Sequence, residues 1–192
     1  SLLRQSVTLD PTYGPAQAYL ALILALGHRI GLLQDREAAR TEGLRAADAA
    51  LALDDTDSTV LGFAGCALAD LGHAPRAMPV LDKAIEQDPS NAQAWAARGA
   101  AQIAAGAYAT GVADLRHGIK ISPLDNRLAV WGSFLAIGLI LDGQRDEAID
   151  TARIACRRDT RNHIPHVVLA AALLAAGRHK EARGQVAEAY RL

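Results

Sequence analysis

His163 and His166 stand three residues apart, and Cys66 and Cys156 stand ninety apart, in a chain of 192 residues. Two histidines at this spacing share a helix face, and with a carboxylate they would have the donors for a divalent metal. No third donor lies near them in sequence, and there is no CxxC or Cys/His cluster, so no metal site is expected. The cysteines sit in apolar helical segments and read as small buried hydrophobes, which sets a reducing, cytoplasmic compartment as the expectation. Arg153, Arg157, Arg158 and Arg161 form the densest basic cluster, with Arg157 four residues after Arg153 on one helix face. A solvated outer face is expected there, and the lack of interleaved aromatics argues against nucleic acid. Asp55-Thr56-Asp57-Ser58 opens like a calcium loop, but Val60 stands where that loop needs Gly and Cys66 where it needs Glu. Asp57 or Ser58 is better read as a helix N-cap. Gly62-Phe63-Ala64-Gly65 falls short of a phosphate cradle and reads as close helix packing. GxxxxGK[ST], GxGxxG, HExxH and GxSxG are all absent. No catalytic residue and no cofactor are therefore expected.

The elements that carry these residues follow from composition. Hydrophobic residues make up 51% of the chain but aromatics only 4%, so the core is built from small and aliphatic side chains. Alanine, the best helix former and a poor strand former, occurs 41 times, which points to an all-α protein. A net charge of −1 excludes a generally basic nucleic-acid binder, and the apolar content excludes a disordered acidic chain. Charge is uneven: residues 34–90 carry 5 basic and 11 acidic side chains, whereas residues 143–192 carry 9 basic and 6 acidic. This reads either as ordinary solvated helix faces or as complementary ends that favour head-to-tail association. No run of 18 residues lacks a polar interruption, and the nearest candidate, Ala18 to Leu26, is too short to cross a membrane. No basic leader or cleavage pattern follows Ser1, and both ends read as cut from a longer array.

Internal repetition organises the whole chain. Asn91 to Gly99, then Gly106, Tyr108, Leu115, Gly118 and Pro123, reads as helix, tight turn, helix and stop. Asn91 is the expected N-cap, Gly106 the reversal and Pro123 the residue that cannot continue the second helix. Gly72 precedes Gly106 by 34 residues, Pro89 precedes Pro123 by 34, and Gly143 precedes Gly177 by 34. Ala77, Leu81 and Ala84 follow Gly72 at offsets repeated by Ala148, Ala152 and Ala155 after Gly143, and by Ala182, Val186 and Ala189 after Gly177. Gly106 to Gly143 is 37, so three residues enter around Leu124 to Leu128. The first repeat carries about ten extra residues, His28 to Glu37, by comparison with this period. The pattern predicts eleven helical segments, near 1–9, 14–30, 36–53, 57–71, 74–87, 91–105, 108–121, 125–141, 144–158, 162–176 and 179–191.

A 34-residue helix-turn-helix period with these landmarks resembles the tetratricopeptide repeat. Trp95, Gly99, Gly106, Tyr108 and Pro123 satisfy most of that family's pattern, as do Gly65, Gly72, Ala77, Ala84 and Pro89 one repeat earlier. Thr160 replaces a closing Pro, and Gly111 replaces an Ala. The resemblance implies one array, a right-handed α-α superhelix of antiparallel helix pairs. Its units are a partial repeat over 1–13 and repeats over about 14–57, 58–91, 92–128, 129–162 and 163–192. The opening residues through Ala25 and the ending AADAALALDD of the first long repeat resemble the tetratricopeptide regions of bacterial adenylate/guanylate cyclase-like proteins and of winged-helix activators. This implies a regulatory or scaffolding module.

In the family, the first helix of each pair lines a concave groove. Transferred from the turn glycines, the groove positions implied by the resemblance are Thr59, Gly62, Cys66, Ala69 and Asp70 in the second repeat. They are Gln93, Ala96, Ala100, Ile103 and Ala104 in the third, and Val130, Ser133, Ile137, Ile140 and Leu141 in the fourth. The fifth offers Ile164, Val167, Ala171, Leu174 and Ala175. Such a groove is apolar and nearly free of cations. It suits an amphipathic helix or extended apolar peptide of a protein partner, or a second copy of the chain, with no nucleic acid or membrane involved. A sensor taking a small apolar ligand in the groove is the alternative, and an enzyme using His28 to Glu37 as a lid is the rival class.

Overall fold

The computed structural model describes residues 2–31 and 33–192. Within them the chain forms eleven α-helices: α1 (Leu2–Leu9), α2 (Gly14–Ile30), α3 (Arg36–Leu53), α4 (Ser58–Asp70), α5 (Ala74–Gln87), α6 (Ala92–Ala104), α7 (Tyr108–Ile121), α8 (Leu128–Leu141), α9 (Arg145–Arg158), α10 (His163–Ala175) and α11 (His179–Ala189). No strand occurs among the described residues. The fold is all-α, and each helix lies within a few residues of its predicted span.

Local chemistry explains why the pairs reverse where they do. Gly72, Gly106, Gly143 and Gly177 all adopt left-handed backbone, with φ of 86°, 88°, 80° and 74°. After each glycine the next N–H donates to the carbonyl five residues back: His73 to Leu68, Ala107 to Gln102, Gln144 to Leu139 and Arg178 to Leu173, at 2.8–2.9 Å. This closes the first helix and turns the chain within three residues, so the second helix packs back on the first. The opposite junctions are set by caps. Asp57 accepts the N–H groups of Thr59 and Val60, Asn91 accepts that of Ala94 at 2.9 Å, and Asn162 accepts that of Ile164 at 3.0 Å.

The chain divides into two compact units, one ending at Ala101 and one running from Gln102 to Leu192. In the first, α2 packs on α3, α4 on α5, and α4 on both α2 and α3. Its core is alanine-rich, with Ala21, Ala25, Ala47, Ala50, Ala64 and Ala84 fully buried around Leu61, Leu68 and Leu81. Small side chains let the helix axes approach closely. Extra residues in the first pair lengthen its helices: α2 has 17 residues where α4 has 13, and α3 has 18 where α5 has 14. The residues that a rival, enzymatic reading would use as a lid instead add about a turn to each helix. His28 Nδ1 lies 2.9 Å from the Arg36 carbonyl oxygen and joins the two helix ends.

In the second unit α8 packs on α7 and α9, and α10 packs on α8, α9 and α11. Leu115, Leu139, Ile149, Ala152, Leu173 and Ala182 are buried at its centre. Of the three residues added after α7, two lengthen the loop and one lengthens α8, which has 14 residues to the 13 of α10. Asp125 braces this loop by accepting from the Arg127 backbone N–H, Nε and Nη2 at 2.6–2.8 Å, and the Arg127 guanidinium stacks on Trp131 at 4.9 Å.

Candidate functional site

Of the groove positions read from the sequence, Gly62, Gln93, Ala96, Ile103 and Ser133 are buried, the last four at 7%, 2%, 5% and 4% exposure. Packing accounts for it. A side-chain carbon on Gly62 would sit 3.0 Å from the Asn91 amide nitrogen, and Ile103 fills the space beside Gly138. Ser133 turns its hydroxyl back to the Ala129 carbonyl at 2.8 Å, within its own helix. Cys66, Asp70, Ala100, Val130, Ile137 and Ile140 are half-buried, whereas Thr59, Ala104, Leu141, Val167, Ala171 and Leu174 are exposed, Val167 and Leu174 both at 51%.

In the first unit, one surface brings several of these groups together. Tyr19 and Phe63 meet edge to face, with ring centroids 5.3 Å apart. Further along the same two helices, Arg29 pairs with Asp70 at 2.9 Å. Both contacts advance in the same sense, so α2 and α4 lie side by side and parallel. Between the aromatic pair and the ion pair, α2 presents Leu22, Ile23 and Leu26, and α4 presents Cys66. Their spacing of three and four residues places them on one face of each helix. Tyr19 and Ile23 are 43% and 41% exposed. The result is an apolar strip closed at one end by a charge pair. Asp70 is only 15% exposed in its side chain. Burial raises its carboxyl pKa above the ordinary value, and the Arg29 guanidinium pulls it back down.

Sequence reading reached Cys66 and Asp70, gave Phe63 to helix packing and Arg29 to the rival lid segment, and missed Tyr19 and Ile23. The available signal was the run Tyr19, Leu22, Ile23, Leu26, Ile30, whose helical spacing marks one apolar stripe. The transfer of positions did not extend into the first repeat, because its inserted residues displaced the turn.

The second unit shows a different surface. Val167, Ala171 and Leu174 line the open side of α10 at successive turns. Leu174, His179, Ala182, Arg183 and Val186 enclose a recess of about 250 Å3 between α10 and α11. Elsewhere the chemistry-bearing residues are engaged in structure. His166 contacts Gln185 at 2.9 Å, Arg153 reaches Asp150 and Glu181, and Arg158 donates to the Pro123 carbonyl. Among the described residues no three His, Cys, Asp or Glu side chains gather as metal donors, and both cysteines are free thiols. Burial raises the Cys156 pKa, which keeps that thiol protonated and unreactive. No described helix is long and apolar enough to cross a membrane.

No protein-family model and no curated protein sequence matches the chain. Solved structures do match it in three dimensions. A MamA structure from Desulfovibrio magneticus aligns with a TM-score of 0.66 at 23% identity, covering 90% of this chain and 94% of its own. A tetratricopeptide repeat protein from Parabacteroides merdae gives 0.64 at 17% identity, covering 98% and 70%. Another MamA structure gives 0.63 at 17% identity, covering 91% of both chains. At this identity the likeness is one of fold: the chain has a tetratricopeptide-like helical repeat architecture.

Proposed function

We propose that this chain is a non-enzymatic protein–protein interaction scaffold, whose first-of-pair helices receive an apolar helix or extended peptide. The observation that carries this reading is the α2–α4 strip, where Leu22, Ile23, Leu26 and Cys66 lie between the Tyr19–Phe63 pair and the Arg29–Asp70 pair. Apolar side chains exposed in a row, without a convergent set of catalytic groups, suit recognition by burial more than chemistry. The ion pair supplies direction, since a peptide lying along the strip meets a polar end and an aromatic end. Ile137 and the exposed Val167 and Leu174 extend the same role to the second unit. A place for the array within a larger bacterial signalling protein is supported by the resemblance of its opening residues to cyclase-associated repeat regions.

Selection from a displayed peptide library tests the reading. The expected outcome is a set of binders sharing apolar residues at helical or alternating spacing, with at least tenfold loss on Ile23→Asp. Ile23 is already 41% exposed, so that variant keeps the fold. A library yielding no binder, or binders indifferent to Ile23→Asp, would defeat it.

A further inference from the structure

Between the second helices of two successive pairs, α7 and α9, the second unit carries a surface of another kind. Arg116 on α7 reaches Glu147 on α9 at 2.5 Å, and Arg158 on α9 donates to the Pro123 carbonyl just past α7 at 3.3 Å. The two helices therefore run side by side in one direction. Lys120 falls one turn after Arg116 on α7, and Ile154 falls one turn before Arg158 on α9, so both border the same groove. Leu124, next after Pro123, is 90% exposed, and Ile154 is 49% exposed. Arg157 and Arg161, four residues apart, are exposed beside them. Two apolar side chains thus stand among four cations.

This face is not an open end of the stack. The α8–α9 pair has α7 packed on one side and α10 on the other, and Arg153 crosses from α9 to Glu181 on α11. Nor is it only the charge that a helix end attracts. Cations in a last turn favour the helix macrodipole, but α3 and α5 in the first unit carry none there. Arg161 lies beyond the end of α9, and no dipole explains the exposure of Leu124 and Ile154. Among the described residues the side chains of Lys120, Arg157 and Arg161 make no ion pair or hydrogen bond. The carboxylates closest in sequence are already engaged: Asp150 by Arg153 at 3.5 Å, and Asp159 by the Arg161 backbone N–H at 3.2 Å.

We infer that the α7–α9 face binds an acidic segment of another protein that also carries an aliphatic residue. Its carboxylates meet Lys120, Arg157 and Arg161, and its aliphatic side chain covers Ile154 and Leu124. Charge complementarity sets this occupant. A second copy is disfavoured, because the acidic side chains of the first unit are largely spent on internal pairs: Asp48 with Arg76, Asp55 with Lys83, Asp70 with Arg29 and Asp82 with Arg98. An anionic membrane laid along α9 would also meet Glu147 and Asp150 on the same helix, which charge repulsion opposes. A short segment stops before them.

The inference rests on the chain being an interaction scaffold, but it uses a different surface from the α2–α4 strip. A library of displayed random peptides is selected on the 192-residue chain, and its binders are measured by fluorescence anisotropy against the parent and three variants. The expected outcome is a class of binders rich in Asp and Glu with at least one aliphatic residue. Their affinity is expected to fall at least tenfold on Lys120→Gln/Arg157→Gln and on Ile154→Ser, and to stay within twofold on Ile23→Asp. Lys120, Ile154 and Arg157 are all exposed, so these variants keep the fold. A library without acidic binders, or acidic binders indifferent to the α7–α9 variants, would overturn the inference. Binders lost on Ile23→Asp alone would overturn it while upholding the α2–α4 strip, so the two readings fail separately. Phosphatidylserine vesicles that bind where no acidic peptide does, and release the Lys120→Gln/Arg157→Gln variant, would give the face to a membrane instead. A dimer in sedimentation that the same variant dissolves would give it to a second copy.

Discussion

The pairs α8–α9 and α10–α11 share a turn geometry, a similar helix length and a small-residue spine, yet they end in opposite environments. Ile149 on α9 is 1% exposed and its counterpart on α11 is the exposed Arg183. Ala152 is fully buried and its counterpart Val186 is 41% exposed. The difference lies in what stands next: α9 has α10 against it, and α11 has no described helix beyond it. In a repeat array each unit contacts its neighbours, so the same position is core in one repeat and surface in the next. A residue's role is therefore decided by its place in the stack as much as by its type.

The strongest way to break the comparison is to exchange the two residues. Ile149→Arg puts an uncompensated charge into a filled seat and is expected to lower stability by about 3–5 kcal/mol. The reverse change, Arg183→Ile, is expected to stay within about 0.5 kcal/mol, and urea unfolding of both variants reads the contrast. Glycines sharpen the comparison on a smaller scale. A methyl on Gly138 would lie 2.5 Å from Ile103 Cδ1 and 2.9 Å from Val112 Cγ2. Gly138→Ala is expected to cost about 1–3 kcal/mol through overpacking, read by the same urea unfolding.

The junctions before α8 and α10 differ as well. Before α8 an ion pair holds the loop, whereas before α10 Asn162 caps the helix. Arg127 hydrogen bonds hold the Asp125 carboxyl below its ordinary value of 3.8. A depressed folded-state pKa contributes stability that is present above the unfolded value and lost as pH falls through the folded one. Asp125→Asn is expected to cost about 1 kcal/mol at neutral pH, with the gap to the parent closing as the pH drops below 3.8. Thermal melts across that range measure it. The smallest effect belongs to the open pair. A methyl added at Gly184 would find nothing within 4 Å, so Gly184→Ala is expected to raise stability by about 0.4–1 kcal/mol, seen as a higher melting temperature.

Much of the architecture was legible in the residues alone. Helix content followed from alanine, and the reversals at Gly72, Gly106, Gly143 and Gly177 followed from a 34-residue period broken once by three inserted residues. Both depend on contacts within a few residues, where local chemistry decides. The long first repeat was legible only in length. Its extra residues were a candidate lid by count, and the structure spends them on added turns of α2 and α3. Length does not reveal whether inserted residues extend a helix or leave it.

By itself, then, the sequence determined an all-α chain of paired helices, the places where they turn, the caps that start them and the lack of a catalytic motif. Tertiary structure alone decided which of the apolar first-helix residues face outward. Gly62, Ala96 and Ser133 carry the same repeat position as Val167 and are buried, whereas Val167 stands open. The Arg29–Asp70 pair joins residues 41 apart, and the Tyr19–Phe63 contact spans a similar distance along the chain. Burial and long-range pairing are properties of the assembled stack. Each is set by the helix that arrives beside it, and no window of neighbouring residues contains that helix.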